Sequence, residues 1–424
     1  MVISFKKHLL IAGLLLVVAV GWIGLRNWDA VSVMIDNASA LNEGGEAAAE
    51  IRSPDDLLAY LSRHPETVSL VVYDAARPDE GLFVRADTPR AVPTLPKLQV
   101  ALAYHRRVEA GEVDPDRPVP IDSVGVFSLP GITADGHKRA VDSLSARGVV
   151  APDSTVALKH WAEAAFTLGD AAALDWLLVS WGEAYVRTLP GRTGGPAIDP
   201  PQPATGRYLA WMEARRSGGA SSAAAPAEPD RLARTFAFAN RLRADTAYRS
   251  AVRDRLEREG SGLRLREQAE LAADGFSRGT ARAYASLVGG IATENDPAAE
   301  ALRRAWETPV GTDSAAAFTH LASRNGAYPG LLAFAGYARR GESRSPRVAV
   351  LMVEDLPLAV LYHLLQTGIH KGFQLQLLGD EGFADRVRAA FGAPSAAEAP
   401  AAEASAAEPP SAAGPVGALP TASR

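Results

Sequence analysis

The chain contains no cysteine. Disulfides, thiolate nucleophiles, thiolate-bound zinc and a lipidated N-terminal cysteine are therefore all excluded. Lysine is almost as scarce, confined to positions 6, 7, 97, 138, 159 and 371, so arginine carries nearly all the positive charge. The formal net charge is only -5, with acids and bases interspersed, which leaves no basic face for neutralising phosphates. Nucleic acid is accordingly not an expected partner. The eight histidines show no H-x-H or H-E-x-x-H spacing, and there is neither a G-x-S-x-G elbow nor a phosphate-binding glycine loop. Neither a metal nor a cofactor is expected.

What is present suffices for one large folded unit: 424 residues, 47% of them hydrophobic. Residues 9–25 form an uncharged apolar run preceded by Lys6 and Lys7 and closed by Arg26. Its seventeen residues are the lower limit for a spanning helix and exceed most signal-peptide cores. The basic flank stays in the cytoplasm and sends the rest outward. Residues 1–28 thus read as an uncleaved single-pass anchor in the inner membrane, with the domain in the periplasm. The one small-x-small site nearby, Ala38-Ser39-Ala40, lies far from the apolar run. Residues 29–54 read as a polar linker and 55–392 as the folded domain. Residues 393–424, almost wholly Ala, Pro, Ser, Glu and Gly, read as a disordered tail.

Inside the domain, Val68 to Asp74 and Gly81 to Arg85 are β-rich runs around a Pro-Asp-Glu-Gly turn, a hairpin signal. Thr94 to Ala110 has helical periodicity, as does most of Val156 to Glu294 apart from a loop at Leu189 to Gly206. Ser217 to Glu228 reads as an exposed loop. Strands return at Leu331 to Tyr337 and Arg347 to Val353, followed by helices at Pro357 to Gln366 and Glu381 to Phe391. Strands at both ends around a helical middle predict one sheet assembled from both termini. An all-helical lobe is inserted over about 115–320, and a ligand cleft is expected where the two meet.

Three short segments carry candidate chemistry. In Thr94-Leu95-Pro96-Lys97 a hydroxyl and an ammonium stand one helical turn apart near a helix N-terminus, where the macrodipole favours a developing oxyanion. The same residues also fit a plain N-cap threonine and a solvated lysine. The second segment is FTLGDAAALDWLL (166–178), with Gly169, Asp170 and Ala171 at its head. The third is ASRNGAYPGLLAFAGY (322–337), in which Arg324, Asn325 and Gly326 form either a binding edge or an ordinary Asn-Gly turn.

In this order, and over roughly residues 55–392, the chain resembles the class A β-lactamases and related penicillin-binding proteins, whose chemistry rests on S-x-x-K, S-D-N and K-T-G. The resemblance implies an α+β fold: an antiparallel sheet flanked by helices, with the helical lobe inserted. It implies Thr94 at the nucleophile position and Lys97 as its base. Asp170 becomes a structural group, Arg324 a clamp for a substrate carboxylate, and Gly326 a small residue keeping the strand edge open. The departures are large. Threonine is stiffer and bulkier than serine, Pro96 pushes Leu95 away from α geometry, and the S-D-N serine and asparagine are missing. The loop that bears the deacylating glutamate in class A, here 188–211, has Asp199 as its sole acid, and no base role is carried onto it. Two functions follow from the resemblance. One is a slow acyl-transfer hydrolase acting on a β-lactam, a D-Ala-D-Ala peptide or an ester. The other is an inactive relative binding a small molecule, a peptidoglycan-like fragment or a partner protein. Ser123 and Ser128 are alternative nucleophiles.

Overall fold

The computed structural model describes residues 38, 39, 41–193, 197–216, 228–261, 263–307, 318–341 and 345–392. The apolar run at 9–25, the tail at 393–424 and residues 217–227 of the expected loop lie outside the described residues. Among the described residues no helix is long and apolar enough to cross a membrane.

Two short helices open the fold, α1 (Gly45–Glu50) and α2 (Pro54–Arg63). They correct the expected linker. Its Ala- and Glu-rich stretch is good helix-forming sequence, and Ala48 and Ile51 are buried in the core beneath it. The strands β1 (Val68–Asp74) and β2 (Arg77–Val84) follow, with a short β3 (Arg90–Ala91) leading into helix α3 (Pro96–Glu109). The β1–β2 turn is Ala75-Ala76, not the Pro-Asp-Glu-Gly segment. The Asp74 carboxylate accepts the Ala76 N–H at 2.9 Å and closes the turn first. Pro78 then lies in an edge strand, where a missing donor is tolerated.

The helical lobe contains β4 (Pro118–Pro120), α4 (Ile121–Gly125), α5 (Ala134–Ala146), β5 (Thr155–Ala157), α6 (Leu158–Glu163), α7 (Ala171–Trp181) and α8 (Glu183–Thr193). It continues through α9 (Ala204–Arg216), α10 (Glu228–Ala244), α11 (Thr246–Glu259) and α12 (Leu265–Gly275) to the short β6 (Arg278–Gly279). The lobe ends earlier than expected. Helices α13 (Ala281–Thr293) and α14 (Pro297–Trp306) pack with the sheet: their Tyr284, Val288, Leu302 and Trp306 share one core with Val71, Val350 and Tyr337. The chain closes with β7 (His320–Tyr328), β8 (Gly330–Arg339), β9 (Arg347–Leu356), α15 (Leu358–Thr367), α16 (Ile369–Gly379) and α17 (Glu381–Ala390).

The main sheet has the order β2-β1-β9-β8-β7, every neighbour antiparallel, so strands from both ends of the domain meet at its centre. This is the expected α+β layout: an antiparallel sheet built from both termini, flanked by helices, with an inserted helical lobe. The central strands read as unbroken apolar runs because both faces are covered. Successive residues point to opposite faces. Val71 and Tyr73 of β1 with Val348, Val350 and Met352 of β9 meet α13 and α14. Leu70 and Val72 with Ala349, Leu351 and Val353 meet α2 and the C-terminal helices.

A buried ion pair fixes the entry to α3. Arg90 is 3% exposed; its Nε donates to Ser69 Oγ (2.6 Å) and its Nη2 to the Glu66 and Val68 carbonyls (2.7 and 3.0 Å). Its Nη1 meets Glu354 Oε2 at 3.3 Å, while Glu354 Oε1 accepts from the Ala91 N–H (2.6 Å) and Arg278 Nη2 (3.0 Å). Burial pulls the Arg90 guanidinium below its ordinary value, and Glu354 opposes that pull. Removing Arg90 takes one of two cations from Glu354 and leaves Ser69 Oγ and the Glu66 and Val68 carbonyls without their buried donor. Arg90→Ala is therefore expected to cost about 3–5 kcal/mol in urea unfolding; a loss under about 1 kcal/mol contradicts this assignment.

Candidate active site

Lys97 occupies the first turn of α3, and Thr94 lies just before it. Leu95 keeps α geometry (φ −62°, ψ −31°), against the expectation that Pro96 displaces it. Proline at the first helical position needs no N–H partner and presets its own φ, and the Leu98 N–H closes on the Leu95 carbonyl at 3.0 Å. Thr94 does not cap the helix with its side chain. Its Oγ1 instead donates to the Asn325 carbonyl on β7, 3.1 Å away, and no hydrogen bond joins it to Lys97 among the described residues.

Asn325-Gly326 is interior to β7 and forms no turn. The β7–β8 reversal falls at Pro329-Gly330, where Gly330 takes φ +80°, the positive φ that glycine supplies after proline in a tight turn. The role of Gly326 also differs from the expected one. A Cβ there would stand 2.2 Å from Thr94 Oγ1 and 3.1 Å from Thr94 Cβ, so Thr94 itself fills the space above the strand edge.

Lys97 is half-buried and makes no hydrogen bond or ion pair to a described residue. Its pKa is pushed down to about 7, first by burial and then by the nearby Arg324, while Asp170 and Asp175 pull the other way. Arg324 lies over the Phe166 ring, 4.7 Å from its centroid, with a buried Nε that has no hydrogen-bond partner among the described residues. Burial brings its pKa down to about 10. Lys97 thus stands within electrostatic range of Arg324, and neither has an ion pair to a described residue.

Asp170 is fully buried and N-caps α7, its Oδ1 accepting from Ala172 N (2.9 Å) and Ala173 N (3.2 Å). Its Oδ2 lies 2.8 Å from His137 Nδ1, and the His137 ring stacks on Trp161. Gly169 ends a π-helical turn, Ala164–Leu168, at φ +75°; a Cβ there would be 4.0 Å from Lys97 Nζ. The position facing the lysine therefore brings no hydroxyl. Ser123 donates its hydroxyl to the Pro120 carbonyl at 2.7 Å, and Ser128 lines a separate hollow beside His137.

A cleft of about 350 Å³ lies between α3, the lobe and the end of β7. Thr94 and Lys97 line it, together with two residues that no sequence motif marks, Gln202 and Arg207. Asp199 is drawn away: its Oδ2 is bound by Arg231 (3.0 Å) and the Arg278 N–H (2.9 Å). Gln202 carries no periodic signal, and only the folded loop turns it inward, whereas Arg207 stands in the first turns of α9. Among the described residues, no cluster of three acids or histidines is arranged to hold a metal ion.

Two outcomes test this geometry. Gly326→Ala should destabilise by roughly 1–3 kcal/mol through overpacking. Adding Thr94→Ala should relieve most of that loss, and additive losses in a double-mutant cycle contradict the contact. For Lys97, the folded pKa (about 7) lies below the reference 10.5. Between those values the unfolded chain holds a proton the folded chain has lost, so stability rises with pH across that window and is flat below it for this group. Relative to Lys97→Met, the native chain should gain a few kcal/mol of stability from about pH 7 to pH 10, since tenfold in proton affinity is worth about 1.4 kcal/mol. A constant difference contradicts a depressed lysine.

The chain matches no protein-family profile and no curated protein sequence. Among solved structures it is similar to a β-lactamase from Sphaerobacter thermophilus, with 15% identity over 76% of this chain and 96% of that one, at a TM-score of 0.44. It is also similar to a β-lactamase from Chitinophaga pinensis (13% identity, 80% and 97% covered, TM-score 0.41) and to PBP-A (14% identity, 76% and 96% covered, TM-score 0.38).

Proposed function

We propose that this chain is a β-lactamase-like domain that binds an anionic ligand, a small molecule or a peptidoglycan-like fragment, without forming an acyl-enzyme. In the same proposal the apolar run at 9–25 tethers it to the inner membrane and the domain works in the periplasm. The observation that carries the reading is the state of Thr94. Its hydroxyl proton is directed to the Asn325 carbonyl and its methyl-bearing side chain is closed against Gly326, while Lys97 has no hydrogen-bond partner among the described residues. A general base activates a nucleophile through a hydrogen bond to it, and Lys97 makes none.

Three further features favour binding over turnover. Glycine at 169 removes the hydroxyl that would relay a proton. Asp199 is neutralised by Arg231 and leaves the loop without a free base. Lys97 lines the cleft without an ion pair to a described side chain, with Arg324 close enough to depress it, which suits an anion held in place.

Intact-protein mass spectrometry after incubation with a penicillin or an activated ester tests this directly. The expected spectrum is that of the unmodified chain at all times. A stable adduct that disappears in Thr94→Ala overturns the reading and makes the protein a slow acyl-transfer enzyme acting through Thr94.

A further inference from the structure

A second cavity, of about 460 Å³, lies between α3, α6, the π-helical turn, α7 and the end of α14. It shares only Lys97 and Leu174 with the cleft. Its wall on α3 is the stripe Lys97, Val100, Ala101, Tyr104 and His105, residues one and two turns apart on one side of the helix. From 97 to 105 the helix axis rises about 12 Å, so the hollow follows two turns of α3. The facing wall is apolar: Ala162, Ala165, Phe166, Leu174 and Leu177. Lys159, Arg304 and Ala305 line it from exposed positions and mark its mouth.

The charged groups around this hollow are matched, with one exception. Lys159 pairs with Asp116 (2.7 Å) and Arg304 with Glu300 (2.5 Å), while Glu163 takes Arg147 (2.8 Å) and His160 (3.4 Å). Burial and the nearby Arg304 lower the pKa of His105, which favours its neutral ring. Lys97, at the other end of the stripe, has no ion pair to a described residue. An unpaired charge held out of water is costly, and an anion beside it removes that cost. The π-helical turn Ala164–Leu168 supplies Ala165, Phe166 and Thr167 to the wall and ends at Gly169, next to the Lys97 ammonium. Such turns are rare and concentrate at functional sites.

We propose that this hollow is a second binding site, for a medium-chain fatty acid whose carboxylate pairs with Lys97 and whose alkyl chain lies along α3. An extended chain of about eight to ten carbons matches the length of the stripe. Val100, Leu174 and Leu177 give the chain apolar surface to bury, and the alanines at 101, 162 and 165 leave it room. The carboxylate forms a charge-assisted hydrogen bond with the one cation of the wall that no described acid holds. The site stands whatever the cleft binds, although a ligand in either cavity meets the same ammonium.

The test is isothermal titration calorimetry on the full chain in lipid nanodiscs, with empty nanodiscs as reference. The probes are hexanoate, octanoate, decanoate and 1-octanol. Each added methylene should tighten binding about threefold or more. Octanoate should bind about tenfold or more tightly than 1-octanol. Lys97→Met should bring octanoate to the level of 1-octanol and leave the methylene increment in place. Ala101→Leu fills the hollow at a position the cleft does not share and should weaken octanoate about tenfold or more. Should that variant fail to fold, Ala305→Trp obstructs the mouth from an exposed position and should have the same effect. Octanoate uptake equal to that of empty nanodiscs, octanoate and 1-octanol binding alike, or native affinity in a folded Ala101→Leu or Ala305→Trp each overturn the proposal. None of these touches the non-acylating reading, which fails only on a covalent adduct at Thr94.

Discussion

The buried Arg90–Glu354 pair sets where everything in the cleft can be. It ties the two residues of β3 to the β1 edge through Ser69 and Val68, to β9 through Glu354 itself, and to β6 through Arg278. Four residues after Arg90 the chain reaches Thr94. With so short a lead, fixing Arg90 to the middle of the sheet fixes the first turn of α3 against β7. The close contact of Thr94 with Gly326 follows from that constraint, as does the placing of Lys97 between sheet and lobe. Buried pairs of this kind add little net stability against an apolar replacement, and a role in specifying one arrangement suits this one better.

Electrostatically the site is unbalanced in one direction. The acids nearest Lys97 are engaged elsewhere: Asp170 in capping α7 and holding His137, Asp175 in pinning α9. Burial raises the Asp175 pKa to about 6, so even this carboxylate is a reluctant counterion. Lys97 and Arg207 have these carboxylates within electrostatic range but form no ion pair with them among the described residues, and Arg324 and Arg207 lie against aromatic rings. Such a site lowers the affinity of Lys97 for a proton and raises that of the cleft for an anion. The same imbalance that makes the lysine a weak cation when free makes it a good partner when a carboxylate arrives.

Much of the layout is legible in the residues alone. The doubly covered strands β1, β8 and β9 are long runs of Val, Leu, Ala and Phe, and α3 carries plain helical periodicity. The rest is decided by local competition or by burial pattern. Asp74 closes the hairpin before the Pro-Asp-Glu-Gly segment can, and Pro329-Gly330 takes the turn that Asn325-Gly326 offers on paper. Helix α1 looks like linker because only Ala48 and Ile51 mark its buried side. Helix α16 is hidden beside α15, from which only Gly368 at φ +72° separates it. In the site, the three motif segments do gather around one cleft, but Gln202 and Arg207 are invisible in sequence. An inward amide in a proline-rich loop has no periodicity to betray it.

The central claim is that Lys97 belongs to an anion-binding cleft and does not serve as a base for Thr94. Its most direct test is a ¹³C NMR titration of the full chain labelled on lysine, which gives only six signals to assign. Lys97 should titrate near pH 7 in the free protein. Its midpoint should rise by about one pH unit or more when N-acetyl-alanyl-alanine fills the cleft. A Lys97 that titrates like an exposed lysine, or that does not move at saturating ligand, would contradict it.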